Sequence, residues 1–169
     1  MSINFDFELE GLEDVLERVD SLAQKVKLEK ALGKACALVE RSAKEKAPKG
    51  SGELRRSITS SVEDMEGKVY TPLEYAPYVE YGTGLFAEEG GRQQVPWVYV
   101  EGSSGNGTSK KTIYRNREEA EAAVAYLQAQ GLNAVLTYGQ HPHPFMRPAL
   151  NENREKIKEI LREGVLQDD

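Results

Sequence analysis

Cysteine occurs once in the 169 residues, as Cys36, and histidine twice, as His141 and His143. A single thiol excludes an intrachain disulfide and a cysteine-built zinc site. Nucleophilic catalysis by a base-activated Ser or Cys would have to draw its base from the segment His141-Pro142-His143-Pro144, and nothing in the sequence singles out a partner for it. No stretch approaches the roughly eighteen apolar residues needed to cross a bilayer. The N-terminal MSINFDFELEG lacks the positive and apolar regions of a secretory signal. The protein is therefore expected to be soluble and to stay inside the cell, leaving the sequon Asn106-Gly107-Thr108 without a secretory route. Large aliphatic and Phe residues are also scarce: Leu, Ile, Val and Phe make up 38 of the 169 positions. That lies just above the range of disordered chains and predicts one lean domain over residues 1–169.

The net charge of −6 argues against strong non-specific attraction of the whole molecule to nucleic acid or an anionic membrane. It hides a segregation. Residues 1–23 carry one basic and seven acidic groups, residues 25–56 ten basic and four acidic, and the remainder eleven and seventeen. A basic segment stands between two acidic ones.

Apolar residues recur at three- and four-residue steps from Leu9 to Ala47, predicting one long amphipathic helix or two in tandem, with a break near Lys27 and Leu28 where the phase drifts. Cys36 falls inside this pattern as a packed small side chain. Pro48, Gly50 and Gly52 end it. Residues 54–62 and 68–71 read as a β-hairpin with Gly67 as the turn residue. In YAPYVEYGTG (75–84), Pro77 suits a first helical turn and Gly82 and Gly84 its end. VPWVYVE (95–101) and TIY (112–114) read as strands around a polar loop. Asn116 can cap a helix, with Glu119 three residues on, an apolar stripe of Ala120, Val124 and Leu127, and Gly131 at its C-terminal end. LNAVLTY (132–138) follows as a strand, making 97–138 a compact unit of strands around one helix. Pro148 starts the last helix, with the stripe Leu150, Ile157, Ile160, Leu161 and Val165. The sum is an α+β fold: a long N-terminal helix and a C-terminal helix packed on a small antiparallel sheet.

Little of this carries chemistry. GSSGNGTSK (102–110) has glycines without the spacing of a phosphate loop and leads into a strand. His141 and His143 can face the same way on an extended segment, but a metal needs further ligands, and the segment reads equally as a stiff connector. The adjacent pairs Glu88-Glu89, Glu118-Glu119 and Asp168-Asp169 diverge on regular structure. The basic stretch from Lys25 to Arg56 lacks interleaved aromatics for base stacking and serves equally as a solvated face or a contact for an acidic neighbour. Tyr70, Tyr75, Tyr78, Tyr81, Phe86, Trp97 and Tyr99 cluster outside any helical period, as in a core with a wet edge or a protein interface.

Three segments, APKGSGELRRSI (47–58), YAPYVEYGTG (75–84) and HPFMRPAL (143–150), together resemble the tail-component family of long-tailed double-stranded DNA bacteriophages and prophages, which are small head-tail connection or tail-completion proteins. Ser51 stands where that family more often has Thr, and the stretch from Gly84 to His143 is longer than its members need, so 97–138 reads as an insertion reaching a neighbouring subunit, another tail protein or solvent. The resemblance implies a structural role in the virion tail or neck. Copies would form a ring around the tail axis, sixfold in the family, contacting other tail proteins, with DNA only passing through the lumen and no membrane partner. It implies no enzyme activity and no catalytic, cofactor or metal residue. The positions it marks are Leu54, Arg55, Ser57, Tyr75, Ala76, Tyr78, Glu80, Tyr81, Gly82, Thr83, Phe145, Arg147 and Pro148. Tyr75, Tyr78, Glu80 and Tyr81 form its fold-defining or interface segment, with Arg147 as a salt-bridge partner for Glu80. Two alternatives compete: a nucleic-acid-binding module using the basic helix of 25–56, and a small metal-dependent enzyme at His141 and His143.

Overall fold

The computed structural model describes residues 3–4, 15, 19, 22–88, 96–100 and 112–166. The predicted helical positions Leu9, Leu12 and Leu16 and the loop 102–110 lie outside these, as do Glu89 and Asp168-Asp169. The fold is α+β, with two three-stranded antiparallel sheets. The chain divides into two compact units, one of Met1–Glu80 with His143–Asp169, the other of Tyr81–Pro142.

In the first unit, α1 (Leu22–Lys46) buries Leu28, Ala31, Ala35, Val39 and Ala43 along one face. It is continuous through Lys27 and Leu28, so the break expected there is absent. The phase drift comes from Val26, which is 43% exposed and points to solvent while the buried stripe keeps its three-and-four spacing. Lys44 and Lys46 in the last turn complement the helix dipole.

Gly52, at φ 74°, turns the chain into a short helix, α2 (Glu53–Ser57). Residues 54–57, expected in a strand, are helical because one turn sets Leu54 and Ile58 on the same side, where both are buried. The hairpin follows as β2 (Thr59–Glu63) and β3 (Glu66–Thr71), and a strand at Ile3–Asn4, β1, pairs antiparallel with the far edge of β3. The turn is made by Asp64 and Met65, at φ 51° and 66°, and not by Gly67. Gly67 lies in β3 opposite Val62, and a Cβ there would fall 2.5 Å from the Cys36 Sγ of α1. That glycine serves the approach of sheet to helix.

Cys36 is buried. Desolvation, aided by the nearby Glu40 carboxylate, pushes its thiol above the ordinary value, away from the reactive thiolate. Glu40 accepts hydrogen bonds from Lys44 Nζ and Ser60 Oγ, each at 2.6 Å, and so ties α1 to β2.

After α3 (Ala76–Tyr81), described below, the last helix of this unit is α5 (Met146–Leu166). It begins at Met146, two residues before the expected Pro148, because its first amides are capped by a distant carboxylate. It runs antiparallel to α1: Lys46 Nζ pairs with Glu152 at 2.6 Å near one end, and Gly164 meets Ala31 near the other. Its stripe buries Met146, Ala149, Leu150, Ile157, Leu161 and Val165 into one core with α1, α2 and Phe145.

The second unit begins with a 3-10 turn (Gly84–Phe86) and contains β4 (Trp97–Val100), β5 (Thr112–Ile113), α4 (Arg117–Ala129) and β6 (Ala134–Thr137), with strand order β5-β4-β6. The expected cap is formed: Asn116 Oδ1 accepts from Glu119 N at 2.9 Å, and Glu119 Oε2 accepts from Arg115 N at 3.4 Å. Gly131, at φ 78°, closes the other end, where Leu132 N donates to Leu127 O at 3.1 Å. Val98, Ala120 and Ala134 form this unit's small core. Its two ends are tied together: Thr83 N donates to Gln140 O, Gln140 N to Thr83 Oγ1 and Leu85 N to Tyr138 O, each at 2.9 Å. Gly84 and Gly139 permit the approach, since a Cβ on either would strike a carbonyl of the opposite segment, that of Tyr138 or of Thr83.

Two outcomes are expected from this packing. A Cβ at Gly164 would lie 2.6 Å from the Ala31 Cβ, so Gly164→Val should overpack the α1–α5 seam and lower stability by about 1–3 kcal/mol in urea unfolding; unchanged stability would refute that seam. Burial raises the Glu40 carboxyl, but hydrogen bonds and charge from Lys44 and Ser60 outweigh it and hold the group below its ordinary 4.5. Its contribution is therefore complete above 4.5 and lost as pH falls through the lower folded-state value. Glu40→Gln should be less stable than wild type at pH 7, by about 0.5–1 kcal/mol, with the gap closing as pH is taken below 4.5. A gap constant with pH would show that the charge contributes nothing.

Candidate functional site

α3 (Ala76–Tyr81) is only six residues long, too short to hold itself together in water. Its buried side chains are Ala76, Val79 and Glu80. Tyr75, Tyr78 and Tyr81 are exposed, Tyr78 most of all at 54%. A fully buried carboxylate such as Glu80 is costly unless every oxygen is engaged. Here both are. Oε2 accepts from the backbone amides of Phe145 at 2.7 Å and Met146 at 2.9 Å, and Oε1 from the Arg147 amide and the Arg147 Nε, both at 3.0 Å. Arg147 Nη2 also donates to the Glu80 carbonyl at 3.2 Å. The anticipated pairing of Glu80 with Arg147 is thus present.

It is also more than an ion pair. The amides of Phe145, Met146 and Arg147 open a 21-residue helix, where backbone donors lack intrahelical partners and the dipole favours a negative charge. Glu80 is the N-terminal cap of α5, supplied from 65 residues away in sequence. His143 N adds a bond to Val79 O at 2.7 Å, fixing the approach of the third motif to α3. Phe145, completely buried, fills the core beside this cap. Pro148 takes the third position of α5, where its missing N–H costs no intrahelical bond.

The first motif joins by two hydroxyl contacts. Ser57 Oγ donates to Leu54 O at 2.8 Å and lies 2.7 Å from Oγ1 of the buried Thr71, at the end of β3. Tyr75 donates its hydroxyl to Glu53 Oε2 at 3.4 Å; burial first, then the Glu53 charge and hydrogen bond, push the phenol above its ordinary value. Leu54 is buried, whereas Arg55 is exposed and forms none of the ion pairs found among the described residues. Gly82 takes φ 75° and Thr83 receives Gln140 within the second unit. Sequence reasoning missed Glu53, Thr71 and the capping role of Glu80, none of which leaves a local signal.

Residues 11–82 match the HK97-gp10-like family model, described as "Bacteriophage HK97-gp10, putative tail-component". Over that segment the chain is similar to that tail-component family. This is the family to which the three motifs point, although the match covers less than half of the chain and ends before the third motif. Glu80 lies inside the match and the helix it caps lies outside, so one carboxylate binds the matched segment to the rest of its core. The family suggests interaction with other tail proteins, a place in the virion and a structural role. No curated protein and no solved structure matches the chain significantly.

The His141 ring stacks on Phe86, with centroids 3.8 Å apart. Among the described residues no group of three or more His, Cys, Asp or Glu could hold a metal ion, and no helix is long and apolar enough to cross a membrane.

Removing Glu80 leaves the buried amides of Phe145 and Met146 and the half-buried amide of Arg147 without their acceptor, so Glu80→Ala should cost about 3–5 kcal/mol. Glu80→Gln, which keeps an acceptor but not the charge, should fall between wild type and Glu80→Ala, and Arg147→Ala should cost about 1–3 kcal/mol. Urea unfolding measures all three. Wild-type stability of both alanine variants would refute the capping account.

Proposed function

We propose that this protein is a structural component of a bacteriophage or prophage tail or neck, assembling as a ring that completes the tail and joins it to the head. The observation that carries the reading is the tail-component match over residues 11–82. The charge segregation supports it: a closed ring of identical subunits needs two different complementary patches on one chain, and acidic, basic and acidic segments supply candidates. The motif residues also favour it. Leu54, Ala76, Glu80 and Phe145 are spent on the core, whereas Tyr75 and Tyr78 are exposed, as residues of a protein contact are.

On this reading the marked residues serve folding and assembly, not catalysis, and the partners are further copies of the chain and other tail or neck proteins. DNA passes through the lumen without being bound. The strand-helix-strand unit of 97–138 is a decoration on the tail-component core. The alternative, a nucleic-acid-binding helix over 25–56, is less favoured because Arg41, Lys44 and Lys46 already face carboxylates of this chain at 3.1, 2.6 and 2.6 Å.

Deleting the gene from the phage or prophage that carries it should yield filled heads with absent, unjoined or length-defective tails in negative-stain electron microscopy, restored by supplying the protein in trans. Normal infectious particles would refute the assembly role. A steeply salt-dependent affinity for DNA, with a slope of several units, would favour the alternative.

A further inference from the structure

The solvent faces of the two long helices carry mixed charges of opposite net sign: on α1 exposed Lys25, Lys30, Lys34 and Arg41 outnumber Glu29 and Glu45, and on α5 Glu152, Glu155, Glu159 and Glu163 outnumber Lys156 and Arg162. On α1, Lys30, Lys34 and Arg41 are exposed on the side away from the buried Leu28, Ala35 and Val39. On α5, Glu155, Glu159 and Glu163 are exposed at four-residue steps, away from Ile157 and Leu161. Like charges four apart repel, as Lys30 and Lys34 do on α1; on α5 the repulsion among Glu155, Glu159 and Glu163 is offset in part by Lys156, Lys158 and Arg162. A sequence that breaks a local rule on two surfaces with opposite signs points to a partner that relieves both. Arg41 and Glu155 have neighbours on their own helices, Glu45 and Lys158, but Lys30, Lys34, Glu159 and Glu163 enter no ion pair among the described residues.

The register within the subunit gives these charges a geometry. Because α1 and α5 are antiparallel with Ala31 against Gly164 and Lys46 against Glu152, Lys30 lies within one helical turn of the level of Glu163, and Lys34 lies within reach of both Glu159 and Glu163. In a ring whose axis runs along these helices, rotation from one copy to the next preserves both direction and level. The α1 of one copy then meets the α5 of its neighbour antiparallel, with Lys30 and Lys34 facing Glu159 and Glu163.

We propose that the basic face of α1 docks against the acidic face of α5 in a second copy of this chain, and that this is the repeating contact of the assembly. The inference rests on the ring reading above and names its mating surfaces. Exposed ion pairs are individually weak and screened by salt, so the contact holds only where several pairs form together around a closed ring.

The test uses the full chain, supplied in trans to the deleted phage. Lys30→Glu with Lys34→Glu, and separately Glu159→Lys with Glu163→Lys, should each lower the infectious titre at least about tenfold, because each sets like charges against each other at every repeat. Carrying all four substitutions on one chain should restore the titre. Urea unfolding of the purified variants, expected to match wild type at these exposed positions, separates an assembly defect from a folding one. Wild-type titres from both double variants would overturn the docking faces while leaving the ring reading intact. Failure of the fourfold variant, if as stable as wild type, would overturn the pairing. A deletion that itself has no effect on particles would overturn the assembly role and this contact with it.

Discussion

The structure of the first unit depends on one buried carboxylate. The amino end of α5 sits where no water reaches the amides of Phe145 and Met146, and helix-terminal donors without partners are among the costlier things a small core can contain. Glu80 answers three of them and takes its counter-charge from Arg147, so the cost of burying the carboxylate and the cost of burying the helix end offset each other. The dependence is mutual. A six-residue α3 is held in shape by the same bonds that begin a 21-residue α5.

That arrangement explains how three short motifs far apart in sequence act as one. The second motif carries the acid, the third carries the amides and the arginine, and the first is attached through Tyr75 to Glu53 and through Ser57 to Thr71. Most of their chemistry is inward. What they leave outside is aromatic, since Tyr75, Tyr78 and Tyr81 are exposed.

Wherever neighbours in sequence are neighbours in space, the chain could be read directly. The α5 stripe, the capping of α4 by Asn116 and Glu119, and the glycine ends of α3 and α4 all obey helix periodicity and terminal hydrogen bonding, which act within four residues. The failures have a common cause in contacts from outside the window. Gly67 resembles a turn residue, yet it is there because Cys36 passes close behind it, and Asp64 and Met65 accept left-handed backbone in its place. Val26 suggested a break only because its exposure on an unbroken helix has no local sign. Residues 54–57 look extended until Leu54 and Ile58 are seen to share a core. For the candidate site, the Glu80–Arg147 pair could be anticipated from the family motifs, but the three backbone amides could not, since every amino acid has one.

The tie at the base of the second unit has a consequence for what the chain can tolerate over evolutionary time. Val79 O holds His143 N on one side of the crossing, and on the other Thr83, Leu85, Tyr138 and Gln140 bind the outgoing and returning strands to each other. Two chain ends fixed that close together impose the same boundary on the core whatever lies between them, and the entropy of closing a longer or shorter loop changes only slowly with its length. The stretch between Leu85 and Tyr138 can therefore change in length at little entropic cost, without retuning the carboxylate that organises the first unit.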